Sequence, residues 1–310
     1  MRKVIISGVS SFVGMHLAKA FVEAGWGVTA LTTKRVNQYD GIRAERLNVL
    51  KPLVTFEVCD VTDAQAVATL VEEVKPQLWI QHAGYATNYA SADYDLAQSF
   101  AVNVTPLKAI YEALNKVGAC MILTGSSMEY GSSNEANKED DPCWPETPYG
   151  VSKLAETVEA KRLAALYRVR TRVARLYIPV GTMDAPGKLM DHVITQLKAR
   201  ETVDLSPCSQ KRDFLSVEDI SSAYLGLAED MARCEFDIFN ICSGQATLLK
   251  HLLTSLCLYA DQPEELLNFG AFPMRAGEPM ISYGDNEKAK SLLNWKPGNL
   301  NKVLLELLDD

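Results

Sequence analysis

No stretch of this 310-residue chain approaches the ~18–20 consecutive apolar residues that a membrane span needs. Histidine is scarce, at four residues. The seven cysteines (Cys59, Cys120, Cys143, Cys208, Cys234, Cys242, Cys257) are odd in number, scattered, and without a Cys-x-x-Cys pair. These shortages argue against a zinc site and against a disulfide framework. Cysteines set in apolar runs read instead as small core hydrophobes of a reducing, cytoplasmic compartment. Basic residues are outnumbered, 31 Lys and Arg against 39 Asp and Glu, for a net charge of -8. A nucleic-acid footprint is therefore not expected. A secretory leader is not expected either, because Met1-Arg2-Lys3 runs directly into Val4-Ile5-Ile6 and then into glycine-rich sequence. Internal repeats and low-complexity tracts are also missing.

What the chain does have is rhythm. Short apolar runs (Lys3–Ser7, Val28–Leu31, Val54–Val58, Leu78–Gln81, Cys120–Leu123, Thr171–Ala174) alternate with amphipathic stretches. The latter cover about Phe12–Ala24, Asp63–Val74, Asp93–Lys116 and Tyr149–Tyr167. Continuously apolar strands alternating with helices predict a parallel sheet covered on both faces, the doubly wound α/β arrangement. After about Tyr177 the rhythm weakens at Pro179, Pro186, Gly187 and Pro207. The spacing there predicts a smaller mixed α/β lobe, residues 177–310, following a main domain of residues 1–176. A segment of about 212–245 is expected to return to the main domain.

Between the first strand and first helix stands Gly8-Val9-Ser10-Ser11-Phe12-Val13-Gly14. A tight glycine turn opening a helix suits a pyrophosphate, which needs close backbone approach and a helix N-terminus. Gly8, Ser10, Ser11, Phe12, Val13 and Gly14 are the candidate contacts, with serine at position 11 where a third glycine is usual. The second strand ends Thr32-Thr33-Lys34-Arg35. An acid there would take the ribose hydroxyls of NAD; Thr33, Lys34 and Arg35 suit the extra phosphate of NADP. NADP(H) is favoured, with NAD(H) as the other option. Asp60 and Val61 after the third strand, and Ala83 and Gly84 after the fourth, are placed to pass the adenosine half.

Tyr149-Gly150-Val151-Ser152-Lys153 puts a phenol and an ammonium on one helical face. A neighbouring ammonium favours the phenolate, and the spacing predicts a Tyr149 brought toward working range for proton transfer. Ser126, following the fifth strand, is the candidate hydrogen-bond partner of the same substrate oxygen.

With these motifs in order, the chain resembles the extended short-chain dehydrogenases that act on nucleotide sugars. The resemblance spans nearly the whole length. It is carried by Gly8/Ser11/Gly14, Asn103-Val104, Ser126 to Gly131, Tyr149 to Lys153, Arg175 to Gly181, Arg212-Asp213-Phe214, Arg275-Ala276-Gly277-Glu278 and Trp295-Lys296-Pro297. It implies a Rossmann fold and a catalytic set of Ser126, Tyr149 and Lys153. Asn103, Leu176, Tyr149 and Lys153 become further cofactor contacts. Ser126, Ser127, Lys188, Leu189, Arg212, Arg275 and Glu278 become substrate contacts, the arginines gripping a diphosphate bidentately. It also implies a homodimer through the Tyr149 helix and the helix before the fifth strand. Two departures stand out: Ile178 replaces the usual asparagine, and Met128 fills the slot that holds an extra acid or base in dehydratases.

A thioether cannot exchange a proton, so dehydration and 3,5-epimerisation are disfavoured. What remains is NADPH-dependent reduction of a 4-keto-6-deoxy sugar on a nucleotide carrier, or 4-epimerisation through a transient ketone. A third reading, a cofactor-sensing protein without catalysis, belongs with a broken triad or a basic surface, and this chain has neither.

Overall fold

In the computed structural model, residues 1–89, 91, 93–274 and 278–309 are described. The chain opens with β1 (Lys3–Ile6), α1 (Phe12–Glu23), β2 (Gly27–Thr32), α2 (Gly41–Leu50), β3 (Thr55–Val58), α3 (Ala64–Val74) and β4 (Leu78–Gln81). There follow α4 (Leu96–Ser99), α5 (Leu107–Val117), β5 (Cys120–Ser126), α6 (Pro148–Tyr167), β6 (Thr171–Leu176) and β7 (Ile178–Val180). The remainder is α7 (Leu189–Ala199), β8 (Val203–Leu205), β9 (Lys211–Arg212), β10 (Phe214–Ser216), α8 (Val217–Glu229), β11 (Phe236–Ile241), β12 (Thr247–Leu248), α9 (Leu249–Tyr259), β13 (Leu267–Phe269), β14 (Ile281–Ser282), α10 (Glu287–Leu293) and α11 (Leu300–Asp309).

Seven strands form one parallel sheet in the order β11-β6-β5-β4-β1-β2-β3. Its central strands are mostly apolar because both faces are covered: Val4, Ile5, Ile6 and Trp79 are fully buried. One face packs Phe21 and Leu17 of α1 and Tyr224 and Leu227 of α8; the other packs α3, α5 and α6 through Val67, Ile110, Leu114 and Leu163. The strand order reverses between β1 and β4, which opens a crevice at the carboxyl ends of those strands. After β6 the chain builds small sheets, β10-β7, β12-β9-β14 and β13-β8, around an apolar cluster that includes Val193, Leu197, Leu253 and Leu256. The segment holding α8 and β11 returns to the main sheet, where β11 pairs in parallel with β6. No helix among the described residues is long and apolar enough to cross a membrane.

Two differences from the sequence reading have physical causes. The helix expected over Asp93–Lys116 is broken into α4, a wide π-type turn at Phe100–Val104, and α5. Pro106 has no N–H to give to the preceding turn, and Thr105 N reaches back five residues to Phe100 O. The other is α2, not anticipated at all, which buries only Arg46, Leu47 and Leu50 and so carries almost no apolar stripe.

Candidate active site

The loop after β1 turns at Gly8, whose φ of +77° a side chain rarely adopts; a Cβ there would meet Ala83 N at 2.7 Å. At Gly14 a Cβ would lie 2.2 Å from Gly8 O. Both positions are glycine because backbone already fills the space a side chain would take, so the loop, the end of β4 and the start of α1 pack closely. Ser11 is the N-cap of that helix, its Oγ accepting from Gly14 N at 3.0 Å. Phe12 and Val13 are buried beneath the loop, and Ser10 O accepts from Arg46 Nη1 at 3.1 Å. A tight glycine turn that opens a helix at the strand-order reversal fits a dinucleotide pyrophosphate.

Along the same edge, Thr33, Lys34 and Arg35 stand exposed after β2. Thr33 N donates to Tyr39 Oη at 3.2 Å, and Lys34 Nζ lies 4.8 Å from the Tyr39 ring centre. Neither cation has an ion pair among the described residues. Asp60 is spent locally, accepting from Thr62 N and Oγ1, and Val61 is buried. Ala83 N donates to Ser7 Oγ at 3.0 Å, and Gly84 lies beside Asn103, which accepts from Tyr85 N at 2.7 Å and donates to Ser152 Oγ at 3.2 Å. The turn at Phe100–Val104 thus ties the end of β4 to the helix bearing Tyr149 and Lys153.

Thr147 caps α6, with Pro148 at its first position, so Tyr149 opens the helix and Lys153 follows one turn on. Lys153 Nζ donates to Thr124 O at 2.6 Å and is ion-paired with Glu156, both side chains buried. Burial is the largest single influence and lowers the Lys153 pKa, but Glu156, Tyr149 and Glu129 together outweigh it and hold the ammonium above its ordinary range. Burial pushes the Glu156 carboxyl up to about 7 against the pull of Lys153. The Tyr149 phenol is also raised, by burial first, with Lys153 lowering it by less. This differs from the sequence reading: the ammonium acts as anticipated, but desolvation wins, and Tyr149 is held as a neutral phenol. Tyr89 and Tyr94 flank it, at ring-centre distances of 5.5 and 5.8 Å.

Ser126 ends β5, and its Oγ accepts from Met128 N at 3.2 Å; Ser127 and Met128 are half-buried. Glu129 points the other way. It is fully buried, one carboxylate oxygen accepting from Ser126 N and the other from Arg175 Nε, both at 2.9 Å. Leu176 lies beside Ser126 in the register of β6 on β5.

On the lobe, Arg212 Nη2 donates to Glu278 Oε1 at 3.0 Å, and Gln210 Nε2 reaches the same oxygen at 3.3 Å. Lys188 pairs with Asp184 at 2.9 Å, Leu189 opens α7 partly exposed, and Ile178 is also exposed. Arg275 lies outside the described residues. Glu156 and His82 were missed from the sequence. Glu156 carried a usable signal, sitting three residues beyond Lys153 on the same helical face. His82 Nδ1 lies 3.0 Å from Thr124 Oγ1 and its Nε2 3.0 Å from Ser11 Oγ; burial, with the charge of Lys153, lowers its pKa to about 4.

A family model described as "NAD dependent epimerase/dehydratase family" matches residues 4–242. The GDP-6-deoxy-D-mannose reductase of Pseudomonas aeruginosa is 25% identical, the match covering 100% of this chain and 97% of that protein. The CDP-abequose synthase of Salmonella typhimurium is 25% identical over 98% and 97%. The UDP-glucose 4-epimerase of Mycolicibacterium smegmatis is 26% identical over 95% and 93%. Among solved structures, a UDP-glucose-4-epimerase of Stenotrophomonas maltophila with bound NAD shares the fold at a TM-score of 0.86 and 20% identity, over 100% and 97% of the two chains. With the family model running from β1 to the end of the main sheet, this chain belongs to the NAD dependent epimerase/dehydratase family.

Proposed function

We propose that the protein binds a nicotinamide dinucleotide, NADP(H) in preference to NAD(H), and reduces the keto group of a nucleotide-activated 4-keto-6-deoxy sugar. Gly8, Ser10, Ser11, Phe12, Val13 and Gly14 would hold the pyrophosphate, and Thr33, Lys34 and Arg35 the adenosine phosphate. Asp60, Val61, Ala83, Gly84, Asn103 and Leu176 line the path between. When bound, the dinucleotide supplies the hydride. Tyr149 gives its proton to the oxygen that becomes the new hydroxyl, and Ser126 hydrogen-bonds that oxygen. Lys153 stabilises the phenolate left behind and would also hold the ribose of a bound nicotinamide. Ser127, Lys188, Leu189, Arg212, Arg275 and Glu278 serve the nucleotide sugar.

The observation that carries the reading is the pair Met128 and Glu129. The first has no exchangeable proton, and the second has both oxygens clamped by Ser126 N and Arg175. Neither of them therefore offers a free acid or base beside Ser126 for dehydration or 3,5-epimerisation. The test is NADPH oxidation with a panel of 4-keto-6-deoxyhexose nucleotides, with deuteride followed to C4 of the product. The second reading is 4-epimerisation, favoured by the comparable similarity to a UDP-glucose 4-epimerase. Label retained on the protein while two C4 epimers interconvert would select it.

The proposal extends to a cytoplasmic homodimer joined through α5 and α6. Leu107, Ile110, Leu114 and Leu163 are consumed by the core, whereas Val158 and Leu166 remain 60% and 59% exposed on α6. Changing both to glutamate is expected to give a monomer by light scattering. A wild-type monomer at micromolar concentration would remove the dimer.

A further inference from the structure

Four side chains stand in file from the core to the cofactor loop. Tyr224 Oη on α8 is 2.7 Å from Thr124 Oγ1; that oxygen is 3.0 Å from His82 Nδ1; and His82 Nε2 is 3.0 Å from Ser11 Oγ. The direction of each bond follows from counting protons. Tyr224 is fully buried, and Thr124 is its hydroxyl's one hydrogen-bond partner among the described residues. Its proton therefore goes to Thr124 Oγ1, since the alternative strands a buried donor. Thr124 Oγ1, having accepted, has one proton of its own and one remaining partner, His82 Nδ1. A neutral imidazole that accepts at Nδ1 carries its proton at Nε2. The ring is neutral because burial and the Lys153 ammonium disfavour a second proton. Nε2–H then donates to Ser11 Oγ.

Ser11 Oγ also accepts from Gly14 N. Two donors fill its two lone pairs, so its own hydrogen has no protein acceptor among the described residues. Ser11 is half-buried and caps the start of α1, within the glycine turn that follows β1. A helix cap needs only the bond from Gly14; it does not need His82. We propose that Ser11 is a donor-only hydroxyl for a phosphate oxygen of the bound dinucleotide, and that Tyr224, Thr124 and His82 are positioning residues that fix its proton outward. A glycine in that place allows close approach; this serine adds a bond. The inference rests on the cofactor reading above.

The test is direct binding, with no turnover. NADPH and NADH are titrated by their fluorescence, alongside 2′-AMP, which has the adenosine phosphate but no pyrophosphate. Ser11→Gly is expected to bind NADPH about tenfold more weakly and 2′-AMP unchanged. Tyr224→Phe removes the first proton of the file with little volume change and should weaken NADPH severalfold, again sparing 2′-AMP. Nitrogen NMR of labelled histidine, with His82 assigned from His82→Gln, should show the Nε2–H tautomer in the wild type and a mixture in Tyr224→Phe. Unchanged NADPH affinity in Ser11→Gly, or an Nδ1–H tautomer, overturns the inference while leaving the cofactor reading intact. A wild type that binds neither dinucleotide overturns both.

Discussion

Lys153 and Glu156 form a buried ion pair one helical turn apart, their side chains 8% and 1% exposed. The ammonium beside Tyr149 is therefore not a free charge. It is shared between a backbone oxygen, a carboxylate and the phenol it serves. Glu156→Gln keeps the shape and leaves the ammonium unpaired away from water. The expected cost is about 3–5 kcal/mol of unfolding free energy, the usual penalty for breaking one side of a buried pair. Denaturant unfolding measures it; a loss below about 1 kcal/mol would mean that the pair is solvated and weak.

Tyr149→Phe removes one oxygen and is expected to cut turnover about 10²- to 10⁴-fold while leaving dinucleotide and nucleotide-sugar binding nearly intact. Ser126→Ala should cost less, because it removes one hydrogen bond to the same oxygen. Steady-state rates set against binding titrations check both. Wild-type turnover in Tyr149→Phe would sink the catalytic assignment.

The pH dependence follows from the sign of the Tyr149 shift. Burial raises the phenol above its ordinary value, so the protonated form is present below that raised pKa and lost as pH climbs through it. A reduction that uses the phenol as its acid should be level across about pH 6 to 9 and fall only beyond. The reverse oxidation, which needs the phenolate, should climb with pH over the same range. A reduction rate that rises with pH through neutrality would contradict the role.

For the cofactor, NADPH is expected to bind at least about tenfold tighter than NADH, a difference of about 1.4 kcal/mol. Exposed Lys34 and Arg35 would supply it, and changing both to alanine should narrow the gap. Equal affinities in the wild type would remove the main argument for a reductase and favour the epimerase.

Much of the main sheet was legible from residues alone because its central strands are buried on both faces. Val4-Ile5-Ile6 and Leu78 to Gln81 have nowhere to be but a covered parallel sheet. One helix start was legible too: Asp63, whose carboxylate accepts from Gln65 N and Ala66 N, caps α3 where the amphipathic stretch was expected to begin. α2 was not, because three inward residues in ten leave no periodic stripe, and the small sheets of the lobe are strands of two or three residues. The loop glycines, Ser126, Tyr149 and Lys153 could be singled out as candidates because they sit at fixed offsets from predicted strands and helices.

By itself the sequence determined the alternation of elements, the placing of the glycine turn at the head of a helix, and the Tyr149–Lys153 spacing; these are local properties of backbone conformation and periodicity. Only the tertiary structure decided where the charges rest. Glu129 could be separated from Met128 by local geometry, but its clamp by Arg175, 46 residues away, exists only in the fold. So does the file from Tyr224 through Thr124 and His82 to Ser11, which draws on four segments of the chain. The phenol is the sharpest case. Reading the helix alone, the ammonium sets its acidity; in the folded protein, burial raises it by more than that charge lowers it, because solvent exclusion depends on elements that sequence spacing does not bring together.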